Sequence, residues 1–279
     1  MMRTRAELDH LGLCSPEPAD LASFYTRALG MAGRQEGDDF ILAAKDRKLI
    51  ISQGEAGTLR FAAYRVPDLA ALEALKLRVT SQDWTWRDAA SPFLAEGSIS
   101  VRDPDGNLFL FGLGRPVEAV ADDPVANRCA RLQHVVFGSR NAARLATFFD
   151  EVLGFIPTDE VLDEAGQVRT TFLRSSDEHH SLAVFQTSQD RLDHCCYEAG
   201  SWDLIRDWAD HMAGEHIPLK WGPGRHGPGN NLFFFVHDSD GNWVEISAEL
   251  EVVKPDRPLG AWPHEERTLN RWGIGLLRS

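Results

Sequence analysis

The feature that most limits what this chain can fold into is a repeat. Asp238-Ser-Asp-Gly-Asn-Trp-Val-Glu245-Ile-Ser247 has a near copy in Asp103-Pro-Asp-Gly-Asn-Leu-Phe-Leu110-Phe111. Each reads as a tight turn, supplied by Asp-Gly-Asn, running into a strand. In the later copy Trp243, Glu245 and Ser247 alternate onto one strand face. A carboxylate between Val244 and Ile246 is costly to bury alone, which directs attention to a metal or another cation. In the earlier copy that position is Leu110.

The repetition extends through the chain. Leu8-Asp-His10-Leu-Gly-Leu-Cys14 leads into Pro18 to Gly30, where Leu21, Phe24, Tyr25, Ala28 and Leu29 recur at helical spacing before a glycine stop. Leu132-Gln-His134-Val-Val-Phe137 leads in the same way into Asn141 to Gly154. A second helix is expected in each half, over residues 68–79 and 202–216. Strands at residues 58–65 and 192–197 open a second unit within each half. The order predicts four βαβββ-like units paired into two domains, with residues 122–127 as a polar, proline-bearing linker. The expected division is 1–121, 128–250 and a tail, 251–279, that packs on the domains with Trp262 and Trp272 as anchors.

Composition narrows the partners. A net charge of −13 with no basic run argues against nucleic acid or an anionic membrane surface. The four cysteines show no zinc-type spacing, and adjacent Cys195-Cys196 is a poor disulfide pair, so a reduced, cytoplasmic setting is expected. The N-terminal residues lack an apolar signal core, and no stretch is long enough to span a bilayer.

Overlaying the halves isolates the chemistry. His134, His194 and Glu245 in the second half stand where the first has His10, Phe61 and Leu110. Two histidines and one carboxylate from separate strands form a facial triad that leaves positions open on Fe(II) or a similar divalent ion. Such a site needs neutral imidazoles and an ionised carboxylate. A single strand histidine is more often a hydrogen-bonded core residue, and His10 is read that way. Three ligating residues at equivalent positions of a repeat, two of them replaced by Phe61 and Leu110 in the other copy, favour a metal site.

On these residues the chain resembles the type I extradiol, ring-cleaving dioxygenases of the vicinal oxygen chelate superfamily. Four segments carry the likeness: Leu132-Gln-His134-Val-Val-Phe, Glu178-His-His180-Ser-Leu-Ala-Val-Phe185, Leu192-Asp-His194 and Trp243-Val-Glu245-Ile-Ser. The resemblance implies an α+β fold of two tandem domains. Each would be built from two βαβββ modules in a curved, partly closed mixed sheet, with the metal in the second domain. It implies Fe(II), or Mn(II) in some members, and frequent homo-oligomers. It also assigns His180 as an acid–base residue and His226, in the glycine- and proline-rich loop expected over 222–231, as a hydrogen-bond partner of the substrate. His179 would be structural or solvent-facing. The family usually has a tyrosine ten positions before the ligand glutamate; here that residue is Phe235, and one hydroxyl is missing.

Phe185, Phe233, Phe235 and Trp243 are candidate pocket walls, and Asn230 and Asn231 are turn formers or pocket amides. The leading expectation is an Fe(II)-dependent dioxygenase that cleaves a catechol-like aromatic with O2, with His180 and His226 as catalytic residues that manage protons and orient the substrate. A metal-dependent isomerase or lyase on the same scaffold would need ligands that the first half lacks. A non-catalytic binder of aromatic compounds would need no triad at all.

Overall fold

A computed structural model describes residues 3–116 and 124–277. The first unit runs β1 (Glu7–Ser15), α1 (Pro18–Leu29), β2 (Ala32–Glu36), β3 (Asp39–Ala44) and β4 (Arg47–Gln53). The second runs β5 (Leu59–Val66), α2 (Leu69–Ser81), β6 (Trp86–Asp88), β7 (Ile99–Arg102) and β8 (Leu108–Leu113). A short helix, α3 (Pro124–Asn127), precedes the third unit. That unit comprises β9 (Arg131–Ser139), α4 (Ala142–Thr147), β10 (Ile156–Leu162), β11 (Val168–Arg174) and β12 (Leu182–Gln186). The fourth is β13 (Arg191–Glu198), α5 (Trp202–Gly214), β14 (Trp221–Arg225), β15 (Leu232–His237) and β16 (Trp243–Ala248). The tail adds β17 (Gly260–Pro263) and α6 (Glu266–Leu269).

The strands form two mixed sheets, ordered β2-β3-β4-β1-β5-β8-β7-β6 and β14-β15-β16-β13-β9-β12-β11-β10-β17. In each, the first strands of the two units lie side by side and antiparallel, β1 on β5 and β9 on β13. Each of these is flanked by a parallel partner from its own unit. The two-sheet, four-unit order is the one the repeat predicts.

Local chemistry explains the element ends. Helix α1 starts with a proline in its first turn and stops at Gly30, whose φ of 61° closes a left-handed cap onto Tyr25 O. Asp68 and Ser201 accept the capping N–H groups of Ala71 and Leu204 at the starts of α2 and α5. In both copies of the opening motif the aspartate Oδ1 takes two turn amides: Asp103 those of Asp105 and Asn107, Asp238 those of Asp240 and Asn242.

The halves share their packing. Tyr64 stacks on Phe111 at 5.6 Å, meets Phe155 of the second half edge-on at 5.4 Å and donates to Ser181 O. Arg47, fully buried at the junction, donates to the carbonyls of Leu29, Val125, Ala126 and Arg128. Burial pulls its guanidinium down to about 10.

Several sequence expectations change. The linker expected over 122–127 falls partly outside the described residues, and its described part is α3. The helix expected to Gly154 turns π-helical over Phe148–Val152. Part of the stretch expected as a loop, 222–231, is strand β14, paired with β15. In the tail, Trp262 is anchored by Nε1–H on Asp159, whereas Trp272 stays 54 % exposed against Trp202 and Arg225. No helix among the described residues is long and apolar enough to cross a membrane.

Candidate metal centre

The histidines owe their setting to β-bulges. Between β9 and β13, Leu192 faces Phe137 and His194 faces Val136, so Asp193 is an extra residue on its strand. Likewise Leu132 faces Tyr197 and His134 faces Cys196, which makes Gln133 the extra residue on β9. A bulge breaks the alternation of faces and re-aims side chains. Here it brings each preceding residue beside the ring that follows it. Asp193 Oδ1 lies 2.7 Å from His194 Nδ1, and Gln133 Oε1 lies 2.5 Å from His134 Nδ1.

These contacts decide the tautomers. Gln133 uses its amide nitrogen to donate to His180 O at 2.6 Å, so its oxygen faces His134. Both imidazoles therefore carry their proton on Nδ1 and turn a lone pair outward at Nε2. The two Nε2 atoms converge on one oxygen, Glu245 Oε2, at 3.2 Å for His134 and 3.3 Å for His194. Glu245 is 1 % exposed, and its other oxygen accepts from Asn231 Nδ2 at 3.2 Å with His226 Nε2 3.6 Å away. Lone pairs aimed at a buried carboxylate repel it unless a cation lies among them. Two imidazole nitrogens and a carboxylate oxygen are a donor set for a divalent transition metal, and the residues fit one.

The electrostatics agree. Burial raises the Glu245 carboxyl, but the imidazoles of His134, His194 and His226 beside it outweigh burial and hold the group well below the carboxylate range. Burial lowers His134 against the pull of Glu245. For His194 burial is outweighed by the Asp193 and Glu245 carboxylates beside its two nitrogens, and the group rises. His180 is pushed well below the usual histidine range by burial and then by the charges of His134 and His179.

A further side chain enters the cluster that sequence reading missed. Cys196 pairs in register with both His134 and Glu245, and one potential ligand atom from each of the three lies within 4.8 Å of the others. Of the two, His194 fits a ligand set better than Cys196. The thiol is pushed well up by burial and then by the Glu245 charge, while the His194 lone pair is already aimed at Glu245. The signal for Cys196 lay in its register between the two strands, which periodicity alone does not give.

The structure brings eight of the expected site residues to one cavity: His134, His180, His194 and Glu245, with His226, Asn231, Phe185 and Phe235 around them. His180 packs 4.4 Å from the His134 ring. His226 lies flat on Phe233 at 3.8 Å and donates through Nδ1 to Leu269 O of the tail. Phe235 meets His194 edge-on at 5.2 Å and stacks on Trp221. Phe233 and Trp243, expected as walls, pack behind His226 and Phe235 instead. Asn230 is a turn former at φ 52°, while Asn231 faces the cavity. His179 is fully buried, so the solvent-facing option for it is excluded. The tail also reaches the cavity through His264, Glu265, Thr268 and Leu269. No periodicity in the sequence announced that.

Comparison with known proteins places these residues in context. Residues 131–246 match the family model described as the Glyoxalase/Bleomycin resistance protein/Dioxygenase superfamily. The chain is 27 % identical to metapyrocatechase 2 of Cupriavidus necator over 64 % of its own length and 61 % of that protein. It is also 27 % identical to biphenyl-2,3-diol 1,2-dioxygenase of Paraburkholderia xenovorans, over 92 % of this chain and 94 % of that one. Homoprotocatechuate 2,3-dioxygenase of Brevibacterium fuscum, solved with 3,4-dihydroxyphenylacetate, superposes with a TM-score of 0.85. The match covers 99 % of this chain and 91 % of that one at 20 % identity, a likeness of fold.

Proposed function

Because the chain belongs to the extradiol dioxygenases of the glyoxalase/bleomycin resistance/dioxygenase superfamily, we propose that it cleaves the ring of a catechol-type aromatic with O2. The observation that carries this reading is the convergence of the His134 and His194 lone pairs on buried Glu245. These three residues would hold Fe(II), with Mn(II) as the alternative occupant. When bound, the metal would supply Lewis acidity and a path for electrons from the aromatic ring to dioxygen.

The protein's own groups do the rest. His180 accepts a proton from a ring hydroxyl and later returns it. His226, with its proton fixed on Leu269 O, offers Nε2 as an acceptor to a substrate hydroxyl, and Asn231 holds the Glu245 carboxylate in place. Val136, Val161, Phe172, Phe185 and Phe235 give the aromatic ring an apolar slot and keep water scarce around the proton transfers. Phe235 offers no hydroxyl, so proton handling rests on the two histidines. The four cysteines are free thiols, which suits the cytoplasm as the working compartment, and the working form is a homo-oligomer.

The test is iron analysis of anaerobically purified protein, followed by oxygen uptake with catechol, biphenyl-2,3-diol and 3,4-dihydroxyphenylacetate. One iron per chain, with uptake and a coloured ring-opened product from at least one of them, is expected. Stoichiometric iron without oxygen uptake on any of the three overturns the reading.

A further inference from the structure

Behind His180 runs a chain of buried groups that ends on the tail. Asp159, on β10, has no exposed surface, and three donors meet its carboxylate. Arg257 Nη2 reaches Oδ1 at 2.8 Å, Trp262 Nε1 reaches Oδ2 at 2.8 Å, and His179 Nε2 lies 2.9 Å from Oδ2. Guanidinium and indole only donate, so Asp159 is an acceptor and His179 presents its proton at Nε2. A neutral His179 then has a lone pair on Nδ1, which lies 3.0 Å from Nδ1 of His180. Two lone pairs do not face each other at that distance. His180 therefore carries its proton on Nδ1, and its other nitrogen, Nε2, meets no hydrogen-bond partner among the described residues. The tail is built tightly against this chain: a Cβ on Gly260 would fall 2.0 Å from Asp159 Oδ1.

We infer that Asp159 and His179 are positioning residues that hold His180 as its Nδ1–H tautomer, with Nε2 ready to accept the proton of a substrate hydroxyl. This rests on the acid–base role proposed for His180. In the step, the hydroxyl O–H bond breaks, its electron pair stays on oxygen, and the proton forms a new N–H bond at His180 Nε2. The imidazolium so formed keeps its Nδ1–H on His179, whose own Nε2–H rests on the Asp159 carboxylate. The positive charge is thus stabilised through His179 by an anion, in the manner of a carboxylate that orients a catalytic imidazole. The tail supplies two of the three donors that keep Asp159 in its accepting role.

The tautomer is directly measurable. Full-length, zinc-loaded protein labelled with 15N only at histidine, with His180 assigned by its loss in His180→Gln, is expected to show a protonated Nδ1 and a bare Nε2 at His180. A wild-type His180 with its proton on Nε2 overturns the proposal, whatever the enzyme's activity. In iron-loaded protein, His179→Leu is expected to lower kcat by about 10–100-fold with metal content and KM kept, the range typical of outer hydrogen-bond partners. His179→Asn places an amide oxygen near the lost Nδ1 and is expected to recover most of that loss. Equal loss in both variants overturns the proposal. Failure to consume oxygen with any catechol would sink the ring-cleavage reading, while the nitrogen spectra would still decide this one.

Discussion

His10 and His134 occupy the same position in the two halves, and both are built by the same device. Leu8 faces Tyr64 and His10 faces Ala63, so Asp9 is an extra residue just as Gln133 is. Asp9 Oδ2 lies 2.7 Å from His10 Nδ1. The difference lies on the other side of the ring. His10 Nε2 accepts from Ser91 Oγ at 2.7 Å, and Phe61 and Phe93 meet the ring edge-on at 5.5 and 5.1 Å. His134 Nε2 instead faces a carboxylate. Charge is settled locally in the first half, where Lys48 Nζ lies 2.8 Å from Asp9 Oδ1. In the second, among the described residues, the groups paired with Glu245 are imidazoles and Asn231, which leaves a place for a divalent ion. Ser91, His10 and Asp9 even have the hydrogen-bond order of a nucleophile triad, but aromatic packing on a ring with no exposed surface makes the arrangement structural. A bulge thus prepares a histidine, and what meets its free nitrogen decides its use.

The largest break in that comparison comes from swapping the third position. Glu245→Ala is expected to weaken iron binding by more than about 100-fold, beyond the range that outer hydrogen-bond partners cost. Leu110→Ala should leave the iron alone and lower folding stability by about 2–5 kcal/mol, as for a buried leucine. Metal analysis and denaturant midpoints on both variants decide it, and stoichiometric iron in Glu245→Ala would show that the ligand set is wrong. The reverse graft, Phe61→His with Leu110→Glu, restores the ligand types to the first half. No second metal is expected, because the His10 free nitrogen is already taken, and the buried acid should cost about 3–5 kcal/mol. A second equivalent of iron with unchanged stability would mean that residue identity alone separates the halves.

A subtler break targets the bulge residues. Asp193→Ala releases the His194 ring and should lower metal affinity by about 10–100-fold. Asp9→Ala removes the partner of both His10 and Lys48, so it should cost about 1–3 kcal/mol of stability and no metal. Competitive metal titration beside chemical denaturation separates the two outcomes, and a shared phenotype would erase the distinction drawn here.

Much of this was legible in the sequence because duplication makes positions comparable. The four units and the contrast of His134, His194 and Glu245 with His10, Phe61 and Leu110 follow from overlay. The bulges did not follow, since one inserted residue leaves a strand's composition unchanged. The trace they left is a hydrogen-bonding residue before each histidine: Asp9, Gln133 and Asp193. His179 before His180 has the same look without a bulge, and its reading as structural or solvent-facing missed its link to Asp159. The tail was opaque for a different reason. Trp262 is held by Asp159, a partner 103 positions away, and Trp272 by neighbours on the surface. Aromatic content announces such contacts without saying which ring is buried.

An equally small effect, at Ser91, is the most specific test of the first half. Ser91→Ala deletes the donor to His10 Nε2 but leaves Asp9 on Nδ1, so the loss should be about 1–3 kcal/mol with iron content untouched. Its signature is in pH dependence. Burial comes first among the causes that hold the folded-state value of His10 below the usual histidine range; Asp9 opposes it and Lys48 adds to it. A hydrogen bond donated to the neutral ring works in the same direction. With a depressed folded value, the His10 contribution is complete above about pH 6.5 and is lost as pH falls through the folded value. Removing the hydroxyl frees Nε2 for a proton, so that value should rise toward the unfolded one. Stability should then fall less steeply between pH 7 and 5 in Ser91→Ala than in the wild type. Equal slopes would mean that Phe61, Phe93 and burial alone keep His10 neutral, and that packing rather than the hydroxyl separates this histidine from His134.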